Sequence, residues 1–338
     1  MLIPKKAVRH PHCFFYHPLS GAVFVSLNTM LKINRTALFS SFAGMAGGLL
    51  AAALLGFSPD KGDGLANVLS DGRLQYKWYA PQIPAQMAFA GEKVPLERRD
   101  VREALDRELI ANYYGHTGTL YALKLAGRWF PVIEPRLKAA GIPDDFKYLC
   151  IAESHLQNQT SRAGAVGFWQ FMLGTAPQFG LEVNDDVDQR YDVAKATDAA
   201  CRYFQQAYAK FGNWTAAAAS YNCGMGGYNN FATSQGQNNF YNILFLEETN
   251  RYIFRILALK HIIGNAKGMG FMVEGADQYR PVPVRKITVN SSIPNLAQWA
   301  IENGSTYKAI KQQNPWLRSK SLRVAPGRFY EIEIPTDL

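Results

Sequence analysis

Cysteine is scarce in this chain, and its spacing excludes more than its number does. Cys13, Cys150, Cys201 and Cys223 form no C-x-x-C pair and no metal-ligand pattern, so no zinc site or dithiol motif is encoded. The last three sit among apolar residues and read as buried free thiols, with an isolated disulfide as the alternative in an oxidising compartment. Asn184-Asp185-Asp186-Val187-Asp188 lacks EF-hand spacing and reads as a solvated loop. Basic residues are unevenly placed. Lys5, Lys6, Arg9, Lys32 and Arg35 lie in a stretch, 1–58, that has no acid at all. The remainder is only mildly basic, which suits an anionic wall or membrane surface. With no recognition helix or basic stripe, nucleic acid is not an expected partner.

One stretch, Ala37–Phe57, lacks charge entirely and is preceded by Lys32 and Arg35, the polarity that the positive-inside rule asks of a membrane segment. Residues 37–57 therefore read as a signal peptide or an uncleaved anchor. No clear A-x-A cleavage site ends it and no Cys follows to take a lipid. Residues 1–36 read as a cytoplasmic segment or a mis-assigned start, with Met30 giving a more conventional n-region. The polar, weakly patterned stretch 58–80 reads as a linker.

Against these absences stands one acid on an apolar stripe. Phe146, Leu149, Cys150 and Glu153 fall at i, i+3, i+4 and i+7, one face of a helix. Desolvation there raises a carboxyl pKa and keeps it protonated near neutral pH, as a general acid requires. The plainer reading is a Glu at the helix edge with its head in water. Gly164 and Gly167 follow, suited to a tight turn with close backbone approach. Gln170 offers donors and an acceptor for an acetamido group or hydroxyl, and Met172 an adaptable apolar wall. Phe168, Trp169 and Phe171 can stack on sugar rings, with core packing expected for at least two of them. Tyr221 and Asn222 close an apolar run from Trp214 to Ala219. There the Tyr221 hydroxyl either bonds the Glu153 carboxyl or is simply buried and satisfied. Glu248 can favour a helix N-terminus through the dipole.

Read in order, these blocks are Glu153-Ser154, Gly164 to Met172 (GAVGFWQFM), Ala219 to Asn222 (ASYN) and Glu248 to Tyr252 (ETNRY). Together they resemble the lysozyme-like domain of the soluble-type lytic transglycosylases. The similarity is greatest to the membrane-bound lytic murein transglycosylase D branch. Upstream, Phe89 to Leu96 (FAGEKVPL) and Gly141 to Leu149 (GIPDDFKYL) are similar to that branch too. The resemblance implies a goose-type lysozyme-like helical domain over 81–280, and peptidoglycan glycan strands as substrate. It implies Glu153 as the catalytic residue, with Ser161, Gln170, Met172, Tyr221, Asn222 and Glu248 contacting the sugars, and no metal or cofactor. It also implies cleavage between N-acetylmuramic acid and N-acetylglucosamine by one Glu, acid then base, leaving 1,6-anhydro ends. The implied location is the periplasm or cell envelope of a bacterium. Two rivals remain at this point: a hydrolytic muramidase, which needs a second carboxylate from Glu248 or from Asp185 to Asp192, and a wall-binding scaffold that kept the cleft.

The expected fold class is mainly α. Spaced Leu, Ile and Tyr predict helix over Arg102 to Leu125 and over Phe130 to Ala139. Asp144 or Asp145 is expected to cap the helix that holds Glu153. Ala200, Tyr203, Phe204, Ala207, Tyr208 and Phe211 form a helical stripe closed by Gly212, and another helix is expected from about Glu248 to Ile263. Over 281–338 the pattern changes. Val282 to Val289 and Arg328 to Ile334 alternate as strands around two short helices, Ile293 to Glu302 and Thr306 to Gln313. This β-α-α-β order resembles a degenerate LysM glycan-binding module, lacking the usual Gly-Asp-Thr-Leu start. A structural cap on the preceding domain is the alternative.

Overall fold

The computed structural model describes residues 78–337 and, upstream, the backbone of one short strand pair. In that pair β1 (Asn67–Val68) runs antiparallel to β2 (Leu74–Gln75), inside the stretch read as a linker. Residues 1–36 and 37–57 lie outside the described residues. Among those described, no helix is long and apolar enough to cross a membrane.

From Ala80 onward the chain is mostly helical. A hairpin of β3 (Ala88–Phe89) and β4 (Glu92–Lys93) precedes α1 (Arg99–Tyr114), α2 (His116–Ala139) and α3 (Phe146–Ser154). Then come α4 (Val193–Phe211), α5 (Trp214–Cys223), α6 (Met225–Ser234) and α7 (Glu247–Gly264). A single hydrophobic core, centred on α3, α4, α5 and α7, holds them together. Gly212 ends α4 in the left-handed region at φ +72°, as the stripe and its glycine predict.

The helix boundaries differ most from expectation between α1 and α2. The break falls at Gly115, and α2 runs unbroken through Pro131 and Pro135, although each proline costs an interior helix about 3 kcal/mol. Tertiary contacts outweigh this. Residues 278–280 lie along α2, with Tyr279 N–H donating to the Lys124 carbonyl and Arg128 Nε to the Arg280 carbonyl (both 2.9 Å).

The helix of Glu153 is fixed from outside its own sequence. Phe146, at its first turn, is fully buried against Phe89, Phe204 and Trp214 at ring distances of 5.3, 4.4 and 5.5 Å. Removing such a ring costs about 3–5 kcal/mol. The expected capping does not occur: Asp145 sits at the N-cap in helical conformation and makes no side-chain cap. Its Oδ2 instead accepts from Ala90 N–H (2.6 Å) and Lys260 Nζ (2.7 Å), tying the hairpin and α7 to α3. A charge-assisted bond from a partly desolvated lysine, together with one backbone N–H, outweighs the backbone bond that a cap would make. Glu92 of the same hairpin caps a different helix: its carboxylate accepts from Trp214 N–H (2.5 Å) and Thr215 N–H (2.9 Å) at the start of α5. The two upstream blocks thus work as braces for the helices that carry the site.

The C-terminal module has the expected order. β5 (Val284–Val289) pairs antiparallel with β6 (Tyr330–Pro335), from Val284 opposite Pro335 to Val289 opposite Tyr330. Between them lie α8 (Leu296–Glu302) and α9 (Tyr307–Gln313), capped by Asn295 and Thr306. This module has its own core, built on Leu296, Ile310, Leu317, Leu322 and Ile332, and that core also contains Val187 from the larger domain. The segment Asn184–Asp188 is therefore not the solvated loop that its composition suggests. Asp186 and Asp188 are buried, 5% and 6% exposed, because each meets an arginine that repays its desolvation. Asp186 pairs with Arg323 at 2.7 Å, and Asp188 with Arg190 at 2.8 Å.

Candidate active site

Helix α3 stops one residue after Glu153. His155 and Leu156 both adopt left-handed conformations, at φ +51° and +59°, so the chain turns away and leaves Glu153 at a helix C-terminus. That is the disfavoured end of a helix for an anion. Glu153 is partly open to solvent while its apolar stripe, Phe146, Leu149 and Cys150, is fully buried. Burial is the main influence on its carboxyl and pushes the pKa up to about 7. A hydrogen bond from Tyr252 and the positive charge of Arg255 work downward, and Glu248 adds a smaller upward push.

The bond from the Tyr252 hydroxyl to Glu153 Oε1 is the most informative contact of the site. Tyr252 is 1% exposed. The role of donor to Glu153 had Tyr221 as its sequence candidate, and there the structure differs. The Tyr221 hydroxyl donates to the Trp169 carbonyl at 2.7 Å, because its ring is held among Tyr203 and Phe204, at 4.9 and 5.1 Å. Tyr252 was readable as the last residue of the Glu248 to Tyr252 block, four residues after Glu248 and so on the same helical face. Tyr252→Phe is expected to raise the Glu153 pKa further, since a donor to the charged form is lost. Carboxyl carbon NMR titration measures this; an unmoved titration would mean the bond has no weight.

The glycine turn is built as the sequence suggests. Gly164 and Gly167 sit at φ +85° and +83°. Val166 pairs with both Thr160 and Phe171 in isolated bridges. Ser161 is half-buried, and its Oγ accepts from Ala165 N–H at 3.0 Å. Gln170 is left-handed at φ +49°, and its Nε2 donates to the Gly167 carbonyl (2.7 Å) and the Gln159 carbonyl (3.2 Å). Those bonds offset the backbone cost of such a conformation, of order 1 kcal/mol or more. Met172 is 40% exposed at the turn's rim. Phe168, Trp169 and Phe171 all turn inward and are buried.

The four motifs converge. Tyr221 joins α5 to the turn, Tyr252 joins α7 to Glu153, and Asn222 Oδ1 accepts from Thr249 Oγ1 at 2.8 Å, joining α5 to α7. Glu248 pairs with Arg255 at 2.9 Å. Behind it stands a group that the sequence reading missed, Glu108 of α1, 1% exposed. Glu108 lies 2.6 Å from Arg251 Nε and 3.6 Å from Arg255 Nε. Breaking a buried pair of this kind costs about 3–5 kcal/mol. Glu108 was detectable by the same argument as Glu153, being an acid on the apolar stripe of Val101, Leu105 and Leu109.

On the Glu247/Arg251/Phe254 flank of α7 a cavity of about 750 Å³ is lined by Arg98, Arg107, Tyr241 and Leu244 among others. It does not include Glu153, which meets the Tyr252 face of the same helix. Among the described residues no group of three or more His, Cys, Asp or Glu side chains is arranged to hold a metal. Cys150 and Cys201 are buried free thiols and Cys223 is a half-buried one.

Residues 131–244 match the family described as "Transglycosylase SLT domain", and residues 285–338 match "Soluble lytic transglycosylase C-terminal LysM-like domain". The chain is 27% identical over 259 residues to the membrane-bound lytic murein transglycosylase D of Escherichia coli (strain K12). That alignment covers 72% of this chain and 55% of the relative. The protein of the same name from Escherichia coli O6:H1 aligns with the same identity and coverage. The chain thus spans about half the length of the curated relatives it matches. It carries an SLT, lysozyme-like helical domain and a LysM-like C-terminal domain. The match to the first ends before Glu248 and Tyr252.

Proposed function

We propose that this chain, with its SLT and LysM-like domains, is a peptidoglycan lytic transglycosylase in which Glu153 acts first as acid and then as base. The observation that carries the reading is the Glu153 carboxyl, held near a pKa of about 7 and bonded by Tyr252. A group so poised can give a proton and take one back near neutral pH. In this mechanism Glu153 protonates the glycosidic oxygen between N-acetylmuramic acid and N-acetylglucosamine. The bond to the muramyl C1 breaks, and the substrate's own acetamide stabilises the cationic sugar. The Glu153 carboxylate then removes the proton of the muramyl C6 hydroxyl as its oxygen closes on C1. No water is consumed, and ring closure is intramolecular, which removes most of its entropic barrier. Ser161, Gln170, Met172, Tyr221, Asn222 and Glu248 are proposed to hold the glycan around Glu153.

The candidates for a second carboxylate support this reading over a hydrolase. Glu248 is tied to Arg255, Asp186 to Arg323 and Asp188 to Arg190, Asp185 is fully exposed beside Arg323, and Asp192 caps α4 through Lys195 N–H. Two-carboxylate glycosidases need their second acid facing the first across the sugar. The proposed location is the bacterial cell envelope, reached through residues 37–57 as export signal or anchor. The similarity to two membrane-bound lytic murein transglycosylases supports it.

Mass spectrometry of products from purified sacculi tests the reaction. Muramyl ends are expected as 1,6-anhydro rings, lighter by one water than hydrolysed ends. Glu248→Gln is expected to slow turnover through loss of its negative charge beside Arg255 without changing the product. Reducing muramic acid as the main product, lost on that substitution, would establish a hydrolase.

A further inference from the structure

We infer that the C-terminal module has a positioning function: it holds the segment 182–191, and that segment, through Arg190, holds the glycine turn that carries Gln170 and Met172. The inference rests on the proposed glycan-holding role of that turn for its functional meaning, and on geometry alone for the coupling.

The module's grip on the segment is extensive. Val187 is fully buried in the module's core and bridges to Leu317. Asp188 N–H donates to the Trp316 carbonyl at 2.9 Å, and Arg318 N–H to the Asp186 carbonyl at 2.7 Å. The Asp186 carboxylate accepts from Arg323 N–H (3.1 Å) and Nε (2.7 Å). The Tyr330 hydroxyl donates to Glu182 Oε1 at 2.8 Å, and the Arg318 guanidinium lies 4.1 Å above the Tyr191 ring. These contacts combine apolar burial, backbone pairing and charge, so the module is docked on this segment as a folded layer is.

The segment's grip on the turn is equally direct. Arg190 is 8% exposed and its fork is held by both oxygens of Asp188, at 2.9 and 2.8 Å. Its remaining Nη1 points at the carbonyls of Gly164 (3.4 Å) and Phe171 (3.3 Å), the two ends of the turn. The Arg190 carbonyl presses on Gly167 so closely that a Cβ there would stand 1.9 Å from it. Asn158 Nδ2 donates to the Tyr191 carbonyl at 3.1 Å, and the hydroxyls of Thr160 and Tyr191 are 3.0 Å apart. One short segment is thus shared by the module's core and the turn's frame. A planar, always-charged guanidinium suits the middle position, since it clamps two carbonyls and an acid at once.

The test uses the full chain carrying Arg323→Ala with Tyr330→Phe. Both substitutions lie in the module, away from the turn, and Arg323 is largely exposed. They remove the charged side-chain partner of buried Asp186, leaving only its bond from the backbone N–H of residue 323, and the bond to Glu182. Hydrogen exchange followed by mass spectrometry reads 182–191 and 159–171 separately. Turnover is read on short soluble muropeptide chains, and binding by pull-down on sacculi. The expected result is exchange about tenfold faster in both segments, with kcat on the short chains falling in step and the pull-down unchanged. Arg190→Lys, which keeps the charge and loses the fork, is expected to loosen 159–171 while leaving 182–191 bound to the module. Faster exchange confined to 182–191, no change in either segment, or an unchanged kcat with a loosened turn would each overturn the inference. A wild-type protein inert on glycan would instead refute the proposed function, and the exchange data would still decide the coupling.

Discussion

Replacing Glu153 by Gln is expected to abolish turnover of peptidoglycan and, above neutral pH, to make the protein more stable. Both effects have one cause. Gln has nearly the shape of Glu but cannot give or take the proton, so the loss of activity should be complete within detection. Stability follows from the pKa, which burial raises from 4.5 to about 7. The unfolded chain releases this proton near its ordinary value, whereas the folded protein keeps it to about 7. Between those limits the folded state binds more protons, so stability falls as pH rises and is lowest above the folded pKa. The full penalty is on the order of 3 kcal/mol, reduced somewhat because Glu153 is partly accessible. Gln carries no such penalty. Melting curves should therefore show Glu153→Gln more stable than the parent at about pH 8 and no more stable at about pH 4. The parent's rate on glycan should fall as pH rises above about 7, because the acid form is consumed. More than a few per cent residual digestion by Glu153→Gln, or a stability gain equal at both pH values, would break the link between this carboxyl and the reaction.

How much of this was legible beforehand depended on the range of the interaction. The stripe that buries Phe146, Leu149 and Cys150 beneath Glu153 is periodic, and it was readable because a helix repeats every 3.6 residues. The α4 stripe closed by Gly212 and the β-α-α-β order of the module were readable for the same reason. Contacts that join distant segments left no such mark. Nothing local says that Asp145 will bond Ala90 and Lys260 instead of capping its own helix, or that Glu92 will cap α5 across 122 positions. Asp186 and Asp188 looked solvated because their arginine partners are either 137 residues away or hidden in the same short segment. Tyr221 and Tyr252 were both present in the motifs, and which of them faces Glu153 depends on how α5 and α7 pack. Chemistry-bearing residues were therefore visible as types at spacings, while their pairings awaited the fold.

Gly167→Ala is expected to be far more damaging than Gly164→Ala, and the comparison shows why it differs from an ordinary glycine substitution. Both positions are left-handed, at φ +85° for Gly164 and +83° for Gly167, so each alanine incurs a backbone penalty of about 1–2 kcal/mol. At Gly164 nothing lies within 4 Å of the new Cβ, and the penalty stops there. At Gly167 the Cβ would meet the Arg190 carbonyl oxygen at 1.9 Å and its carbon at 2.9 Å. Those are backbone atoms of a segment packed into the module, and they cannot swing aside as a side-chain end does. Relief requires the turn and the 182–191 segment to separate, which breaks the Arg190 contacts to Gly164 and Phe171. Overpacking of this kind adds about 1–3 kcal/mol to the backbone term, giving roughly 2–5 kcal/mol in all, a large share of the stability of a domain. Chemical denaturation of the two variants measures the difference. Activity should follow it, with Gly164→Ala retaining most turnover and Gly167→Ala losing it even at temperatures where the protein stays folded, since Gln170 and Met172 move with the turn. Equal destabilisation by the two alanines would mean that Gly167 needs its glycine for conformation alone, and that the approach of Arg190 carries no energy.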